Sequence, residues 1–209
     1  TIFDNQWSTH VQHVKEILTR LQNAHLTARK SKVKVALHSM NIMGHLVENN
    51  KIMPDPAKLD ALHQMAPPST KRNLHSFLGL AGYYSDMLPN FSETAACLTD
   101  LLRKSAPNKL ILQDCHLKAI ENIKTKLTSR PVLIPPDPRK PWIIMADACQ
   151  RSIGGLLCQI GHDDREHPVA YTSRKLLDRE MKYSVIVKEI LAIVHCLQCW
   201  YDLVWGGHI

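Results

Sequence analysis

The chain has 209 residues, a formal net charge of +7 and 44% hydrophobic residues, a composition typical of a globular protein with one large or two small domains. No apolar stretch approaches the roughly 20 residues of a membrane span and no signal peptide opens the chain, so the sequence predicts an intracellular protein, cytoplasmic or nuclear, without a membrane partner. Six cysteines scattered through apolar segments indicate reduced core thiols rather than a disulfide framework.

The basic residues are spread unevenly along the chain. No acidic residue lies between Glu16 and Glu48, and this interval contains a basic segment. The basic segment is formed by Arg29, Lys30, Lys32 and Lys34. Such a block suits contact with nucleic-acid phosphates, and it is equally compatible with an ordinary solvated surface.

Two pairs of potential metal ligands lack the partners that a metal site needs. His10 and His13 could share a helix face, but the sequence offers them no third ligand. Cys196 and Cys199 form a Cys-x-x-Cys motif with no second cysteine pair. Neither pair therefore predicts a zinc site.

Hydrophobic periodicity predicts a helix and then strands in the N-terminal part. The helix runs from about Thr9 to Asn23, with Ser8 as its cap. Residues 32–37 and 39–47 are predicted as two strands. Gly44, in the second of them, either lets a nucleic-acid backbone come close or marks a bulge.

Proline and capping signals then predict a small bundle of three helices. Asp55 is predicted to cap a helix from about Pro56 to Met65, and Ser69 to cap the next one. The third helix extends through Leu102. We expect close helix packing to compensate for the two glycines inside the second helix, Gly79 and Gly82.

A weak linker and a further helix lead to a proline-rich segment. Asp114 is predicted to cap this helix, and residues 131–141 contain five prolines typical of an extended tether. Three apolar runs follow, near 142–145, 153–160 and 168–172, and predict an antiparallel meander. The pair Gly154-Gly155 permits close backbone approach or a bulge.

Asp147 and Glu189 are the candidate catalytic and metal-binding residues. Asp147 ends the first apolar run, and Glu189 lies off an apolar stripe with helical spacing. The stripe consists of Val187, Ile190, Leu191, Val194 and Leu197. The two carboxylates can converge on a magnesium ion if the helix packs across the sheet. Spacing alone favours the alternative in which Asp147 caps a turn and Glu189 is solvated.

Ordered segments along nearly the whole chain resemble the Pol polyproteins of gypsy-type long-terminal-repeat retroelements. The pieces His10-Val-Gln-His13, Leu26-Thr27 and Ile42 to His45 are similar to the end of the reverse transcriptase palm and its primer-gripping hairpin. The pieces Phe77-Leu-Gly-Leu-Ala-Gly-Tyr-Tyr84, Leu88-Pro-Asn-Phe91, Leu98-Thr-Asp-Leu-Leu102 and Leu127-Thr-Ser-x-Pro-Val-Leu133 resemble the thumb and tether. The pieces Met145-Ala-Asp-Ala-Cys149, His167-Pro-Val-Ala-Tyr-Thr-Ser-Arg-Lys-Leu176, Lys182-Tyr-Ser184 and Lys188-Glu-Ile-Leu-Ala-Ile-Val194 resemble the start of the ribonuclease H domain.

The resemblance implies an α+β chain with four regions. They are a palm remnant with a hairpin (1–54), an all-α thumb (55–105), a linker helix with a tether (106–140) and the N-terminal half of a ribonuclease H-like mixed α/β unit (141–209). It also implies that Met43, Gly44, His45 and the basic segment contact a template-primer or an RNA–DNA hybrid. Asp147 and Glu189 match the first two residues that hold Mg²⁺ in this family.

The resemblance further implies that neighbouring sequence completes both activities. The family's Tyr-x-Asp-Asp polymerase turn would precede Thr1, and two further ribonuclease H aspartates would follow Ile209. We therefore expect a reverse transcriptase and ribonuclease H fragment that is inactive by itself and has the remainder of the Pol polyprotein as its partner. The alternative is a retroelement-derived, non-catalytic protein that binds nucleic acid or another protein.

The chain departs from the family pattern at several positions. Family members usually have Thr at 146, Ser at 149, Gly at 152, Glu at 187 and Cys at 33, where this chain has Ala146, Cys149, Ser152, Val187 and Val33. Asp147 and Glu189 match the family.

Overall fold

The computed structural model describes residues 2, 4, 6–29, 33–34, 37–129 and 131–209. The chain divides into two compact units, Thr1–His38 and Ser39–Ile209. The helices are α1 (Trp7–Asn23), α2 (Pro56–Gln64), α3 (Lys71–Gly82), α4 (Phe91–Asp100), α5 (Asp114–Thr128), α6 (Val185–Cys199) and α7 (Tyr201–Val204). The strands are β1 (Ser39–Ile42), β2 (His45–Glu48), β3 (Lys51–Pro54), β4 (Ile143–Ala148), β5 (Ser152–Ile160) and β6 (Glu166–Lys175). None of the described helices is long and apolar enough to cross a membrane.

The first unit consists mainly of α1. Its N-cap residue is Gln6, which makes no side-chain cap bond, so the prediction of Ser8 as the cap is wrong. The carboxylate of Asp4 instead lies 3.0 Å from Nδ1 of His10 and 2.7 Å from Nδ1 of His13. The predicted strand 32–37 is not formed by its described members, residues 33, 34 and 37. Lys32 and residues 35–36 lie outside the described residues.

A tight hairpin replaces the single strand predicted for residues 39–47. β1 and β2 pair antiparallel with Ile42 opposite His45, and Met43 and Gly44 form the two-residue turn. Both turn residues have positive φ, 47° and 76°, as two-residue hairpin turns require. The hairpin suggested by the family resemblance is therefore present, and Gly44 marks a turn rather than a bulge. β3 continues the sheet antiparallel to β2.

The helices of the predicted bundle begin close to their predicted caps. The Asp55 side chain accepts from the Ala57 amide at 3.0 Å, which confirms it as the N-cap of α2. Thr70, rather than Ser69, caps α3, and Gln113, rather than Asp114, occupies the cap of α5. α4 ends at Asp100, before the predicted end at Leu102.

One hydrophobic core joins α2, α3, α4 and α5. Its most buried members include Leu62, Leu74, Phe77, Leu98, Ile123 and Leu127. The linker helix α5 is thus packed with the three helices of the predicted bundle. A Cβ at Gly79 or Gly82 would meet no atom within 4 Å, so the expected close packing at these glycines is wrong.

The tether is fixed to both sheets. Leu133 exchanges backbone hydrogen bonds with Ile52, at 2.8 and 3.0 Å. The fully buried amide of Gln159 accepts from the backbone N–H of Asp137 at 2.9 Å and donates to its carbonyl at 2.8 Å. The segment is extended as predicted, but these bonds hold it against the protein.

The second sheet is the predicted antiparallel meander, in the order β4-β5-β6. Ala146 lies opposite Gly155, and a register shift occurs at Leu157/Cys158 rather than at the glycine pair. A Cβ at Gly155 would collide with Sγ of Cys196 on α6 and would lie 2.9 Å from the Met145 carbonyl oxygen. Of the two alternatives for the glycine pair, close backbone approach is the one observed.

The buried face of α6 differs from its predicted apolar stripe. Lys188, Ala192 and Cys196 are buried against the sheet. Most of the predicted stripe belongs instead to an exposed outer face of α6. This outer face consists of Val185, Ile186, Val187, Ile190, Ile193, Val194 and Leu197. Since the helix is apolar nearly all round, periodicity cannot identify the side that packs.

Candidate functional site

Asp147 lies near the end of the edge strand β4, opposite Gly154. Its carboxylate is exposed. The neighbouring residues Ala146 and Ala148 pack toward the cores that contain α6. Because successive side chains of a strand point to opposite faces, Asp147 is directed away from that packed face, on the same side as Met145.

Glu189 lies in the second turn of α6 and is half-buried. Ser184 caps this helix and accepts from the Val187 amide at 3.4 Å. α6 packs across β4 and β5 as the sequence predicted, but on the face of the sheet away from Asp147, so this packing does not by itself bring the two carboxylates together. Lys188, the residue before Glu189, is among the buried residues of α6.

Both carboxylates are free to bind an ion. Within the described ranges, neither Asp147 nor Glu189 forms a hydrogen bond or an ion pair with another side chain. The turn after β4 is closed by the Cys149 amide and the Ser152 carbonyl at 2.9 Å, so Asp147 does not cap it. Carboxylate oxygens are the donors that Mg²⁺ prefers. The described residues contain no group of three or more His, Cys, Asp or Glu suited to a metal, and a shared ion at these two carboxylates stays a prediction.

A partly buried ion pair fixes the loop that leads into α6. Arg174 donates to both oxygens of Glu180, at 2.8 and 3.3 Å, and the Leu177 amide donates to the same carboxylate at 2.8 Å. The hydrogen bonds from Arg174 and Leu177 hold the pKa of Glu180 below its ordinary value. This contact sets where the chain turns from β6 toward the helix that carries Glu189.

The hairpin turn brings together three residues predicted to contact nucleic acid. Met43 is at the tip and is 84% exposed. The Tyr83 hydroxyl donates to the Met43 carbonyl. The Tyr84 hydroxyl donates to the Gly44 carbonyl at 2.7 Å, and the Asp55 amide donates to the same oxygen at 3.2 Å. Both carbonyls of the turn therefore accept from residues that follow the hairpin in the chain.

Aromatic and cationic side chains surround this turn. The His45 ring centroid lies 5.4 Å from those of Tyr83 and Tyr84, which are themselves edge to face at 5.0 Å. Nζ of Lys58 lies 4.3 Å from the Tyr83 ring centroid, a cation–π contact. Sequence reasoning assigned no site role to Lys58, Tyr83 or Tyr84. The Tyr-Tyr pair at the end of a helical stripe was the available signal, whereas the contact with Lys58 spans 25 positions and has no local pattern.

The basic segment belongs to the first unit. Arg29 and Lys34 are exposed, as contact with phosphates requires. Lys30 and Lys32 lie outside the described residues. A role for these four residues in binding nucleic acid stays a prediction.

Comparison with known sequences identifies relatives over most of the chain. Residues 112–209 match the RNase H-like domain found in reverse transcriptase. The Retrovirus-related Pol polyprotein from transposon 297 of Drosophila melanogaster is 32% identical over 194 residues, which are 92% of this chain and 18% of that protein. The Transposon Tf2-3 polyprotein of Schizosaccharomyces pombe is 33% identical over 193 residues, 92% of this chain and 14% of the relative. The chain thus spans a small part of either relative.

Solved structures share the fold. The foamy viral protease-reverse transcriptase in complex with RNA/DNA hybrid superposes with a TM-score of 0.82 at 20% identity, covering 98% of this chain and 28% of that one. The same viral protein in complex with double-stranded DNA gives a TM-score of 0.81 at 20% identity, covering 98% and 42%. Residues 112–209 therefore belong to the RNase H-like domain family of reverse transcriptases, and the chain is related over most of its length to the Pol polyproteins of gypsy-type retrotransposons.

Proposed function

We propose that this chain is the part of a retrotransposon reverse transcriptase and ribonuclease H that binds template-primer or RNA–DNA hybrid between its hairpin and thumb. The observation that carries the proposal is the exposed turn at Met43 and Gly44, whose two carbonyls are bonded to thumb tyrosines. The related viral structures are described as complexes with double-stranded DNA and RNA/DNA hybrid. A net charge of +7 favours binding to phosphates.

Asp147 and Glu189 are proposed as the catalytic carboxylates of the ribonuclease H reaction. Both are accessible and neither is neutralised by a described basic side chain, so both can hold a cation. When bound, Mg²⁺ would activate water and stabilise the leaving oxygen as the RNA strand of a hybrid is cut. Since Mg²⁺ needs well-placed charge to be held, two carboxylates bind it weakly. We expect little or no cleavage by the 209-residue chain alone, and no DNA synthesis because its sequence has no Tyr-x-Asp-Asp motif.

The exposed outer face of α6 supports the proposal that the remainder of the Pol polyprotein is a partner of this chain. Its apolar side chains are exposed along the whole helix, and the exposed residues Trp205 and Ile209 follow near the end of the chain. Apolar surfaces of this extent mark contacts with other protein segments. The related polyproteins are several times longer than this chain. An intracellular location, cytoplasmic or nuclear, fits this assembly.

A salt titration of hybrid binding tests the proposal. The purified chain is mixed with a labelled RNA–DNA hybrid, and the dissociation constant is measured between about 50 and 200 mM monovalent salt. We expect affinity to fall steeply as salt rises, because phosphate contacts release counterions. Absence of binding, or a flat salt response, would contradict the proposal.

A cleavage assay with Mg²⁺ tests the catalytic part. We expect the chain alone to give little or no product. Turnover that is lost in Asp147→Asn but kept in Asp164→Asn, an exposed aspartate in the β5–β6 loop, would overturn the expected inactivity and establish Asp147 as catalytic. Hybrid binding without cleavage, even when the adjoining Pol sequence is present, would favour the non-catalytic alternative.

A further inference from the structure

Lys58 lies directly against the hairpin turn. It is the third residue of α2, and its side chain occupies the space where Gly44 lacks a Cβ. A Cβ at Gly44 would collide with Nζ of Lys58 and would lie 3.1 Å from its Cε. The ammonium group is also 4.3 Å from the Tyr83 ring centroid. The turn glycine and the tyrosine ring together fix where this positive charge sits.

The charge of Lys58 has no carboxylate partner within the described part of the chain. The ion pairs found there join other residues, and Lys58 appears in none of them. Lys58 is half-buried. A positioned ammonium without a counter-charge is an attractive partner for an anion that arrives from outside.

The tyrosine hydroxyls also determine what the turn presents to solvent. In a trans peptide the carbonyl and the following N–H point in opposite directions. Since Tyr83 bonds the Met43 carbonyl, the Gly44 N–H points away from Tyr83. Tyr84 and the Asp55 amide likewise occupy the Gly44 carbonyl. The acceptors of the turn are therefore satisfied internally, which reduces their repulsion of an approaching phosphate.

We propose that Lys58 binds a phosphodiester of the nucleic-acid strand, and that Tyr83 and Tyr84 are positioning residues that hold the turn beside it in one conformation. The ligand is the sugar–phosphate backbone rather than a base, because an ammonium offers a point charge without sequence-specific geometry. This inference rests on the proposed nucleic-acid binding.

Lys58→Gln tests the phosphate contact through the salt dependence of hybrid binding. Loss of one phosphate contact reduces the slope of log affinity against log salt by about 1 and weakens binding equally for hybrids of different sequence. Lys118→Gln removes an exposed charge from α5 and serves as the matched control, with no change in slope. Lys58→Arg keeps the charge and retains the wild-type slope.

Tyr83→Phe tests the positioning role, because it keeps the ring under Lys58 and removes only the hydroxyl. Affinity falls while the salt slope stays at the wild-type value, and hydrogen exchange becomes faster at the Asp55 amide, which donates to the Gly44 carbonyl. In the double variant with Lys58→Gln the loss of affinity is smaller than the sum of the single losses, since a misplaced turn already weakens the contact with Lys58.

The outcomes separate this inference from the proposed function. If the wild-type chain does not bind the hybrid, the proposed function fails. If it binds with a steep salt response and Lys58→Gln behaves like Lys118→Gln, nucleic-acid binding stands and the role of Lys58 is wrong. If Tyr83→Phe leaves both affinity and exchange unchanged, the positioning role is wrong.

Discussion

Around the hairpin turn, Tyr83 and Tyr84 reach from the end of α3 to both turn carbonyls, whereas no described side chain bonds to the carboxylates of Asp147 or Glu189. The difference matches the role proposed for each site. A surface that guides a nucleic-acid strand gains from a backbone fixed before binding, because less ordering is lost on association. A carboxylate that must hold a cation gains from having no competing cation nearby.

The two regions also differ in how their scaffolds are built. Helices α2 to α5 bury their apolar residues in one shared core. α6, which carries Glu189, buries Lys188, Ala192 and Cys196 and leaves most of its large apolar side chains outside. The position of α6, and with it Glu189, therefore depends on close contact with β5 at Gly155. The first substitution disrupts this contact.

Gly155→Val is expected to have the largest effect. Its Cβ would lie 2.9 Å from the Met145 carbonyl oxygen and collide with Cys196, so α6 must move away from the sheet. Overpacking of this kind costs about 3 kcal/mol of unfolding free energy. Urea denaturation followed by circular dichroism measures the change. A loss below about 1 kcal/mol would show that the helix can shift without penalty.

Gly79→Ala provides the opposite test, in α3. A Cβ at this helical position meets no atom within 4 Å, so the substitution removes only the helix penalty of glycine. We expect a gain of about 1 kcal/mol in the same denaturation experiment. A loss of stability would indicate close packing at Gly79, as the sequence alone predicted.

The sequence could predict features that depend on neighbouring residues. Asp55 followed by Pro56 predicted the start of α2, and short apolar runs predicted the meander. The prediction of one strand for residues 39–47 is wrong because Ile42 and His45 lie opposite each other on one face, so the two-residue turn reverses the alternation of side chains. Met43 is also an uncommon residue for a position with positive φ, so no turn signal marked the hairpin.

Features that depend on tertiary contact were not predictable. Lys58 and Tyr83 meet because α2 and the end of α3 both lie beside the hairpin, and no spacing rule connects them. The buried face of α6 is decided by Gly155, which admits Cys196 close to the sheet, rather than by the size of its apolar side chains. The family resemblance identified Asp147 and Glu189. Only the structure shows that no described basic side chain pairs with either carboxylate.

Gly44→Ala tests the contact between the hairpin turn and Lys58. Its φ of 76° disfavours any residue with a Cβ, by about 1 kcal/mol, and the new methyl would displace Lys58. Asn50→Ala is the matched control, because Asn50 has a φ of 59° in the neighbouring turn. We expect both variants to lose similar stability and only Gly44→Ala to weaken hybrid binding. Equal binding by the two variants would contradict a role for the contact between Gly44 and Lys58.

The smallest expected effect concerns pH and the loop before α6. The hydrogen bonds from Arg174 and Leu177 lower the folded-state pKa of Glu180 below its ordinary value of 4.5. A lowered carboxyl pKa adds stability that is complete above the unfolded-state pKa and is lost as pH falls through the folded-state pKa. Wild-type stability should therefore decline as pH falls below about 4.5 partly because Glu180 becomes protonated.

Glu180→Gln removes this titration while keeping the size of the side chain. The variant is expected to be less stable at neutral pH, because Arg174 loses its charged partner, and to lose less stability on acidification. Asp100 also has a pKa below its ordinary value: partial burial raises it, but the hydrogen bond and charge of Lys175 and the charge of Arg103 outweigh the burial. Only the difference between variant and wild type therefore reports on Glu180. Parallel stability curves from pH 7 to 3 would show that the ion pair with Arg174 does not stabilise the approach to α6.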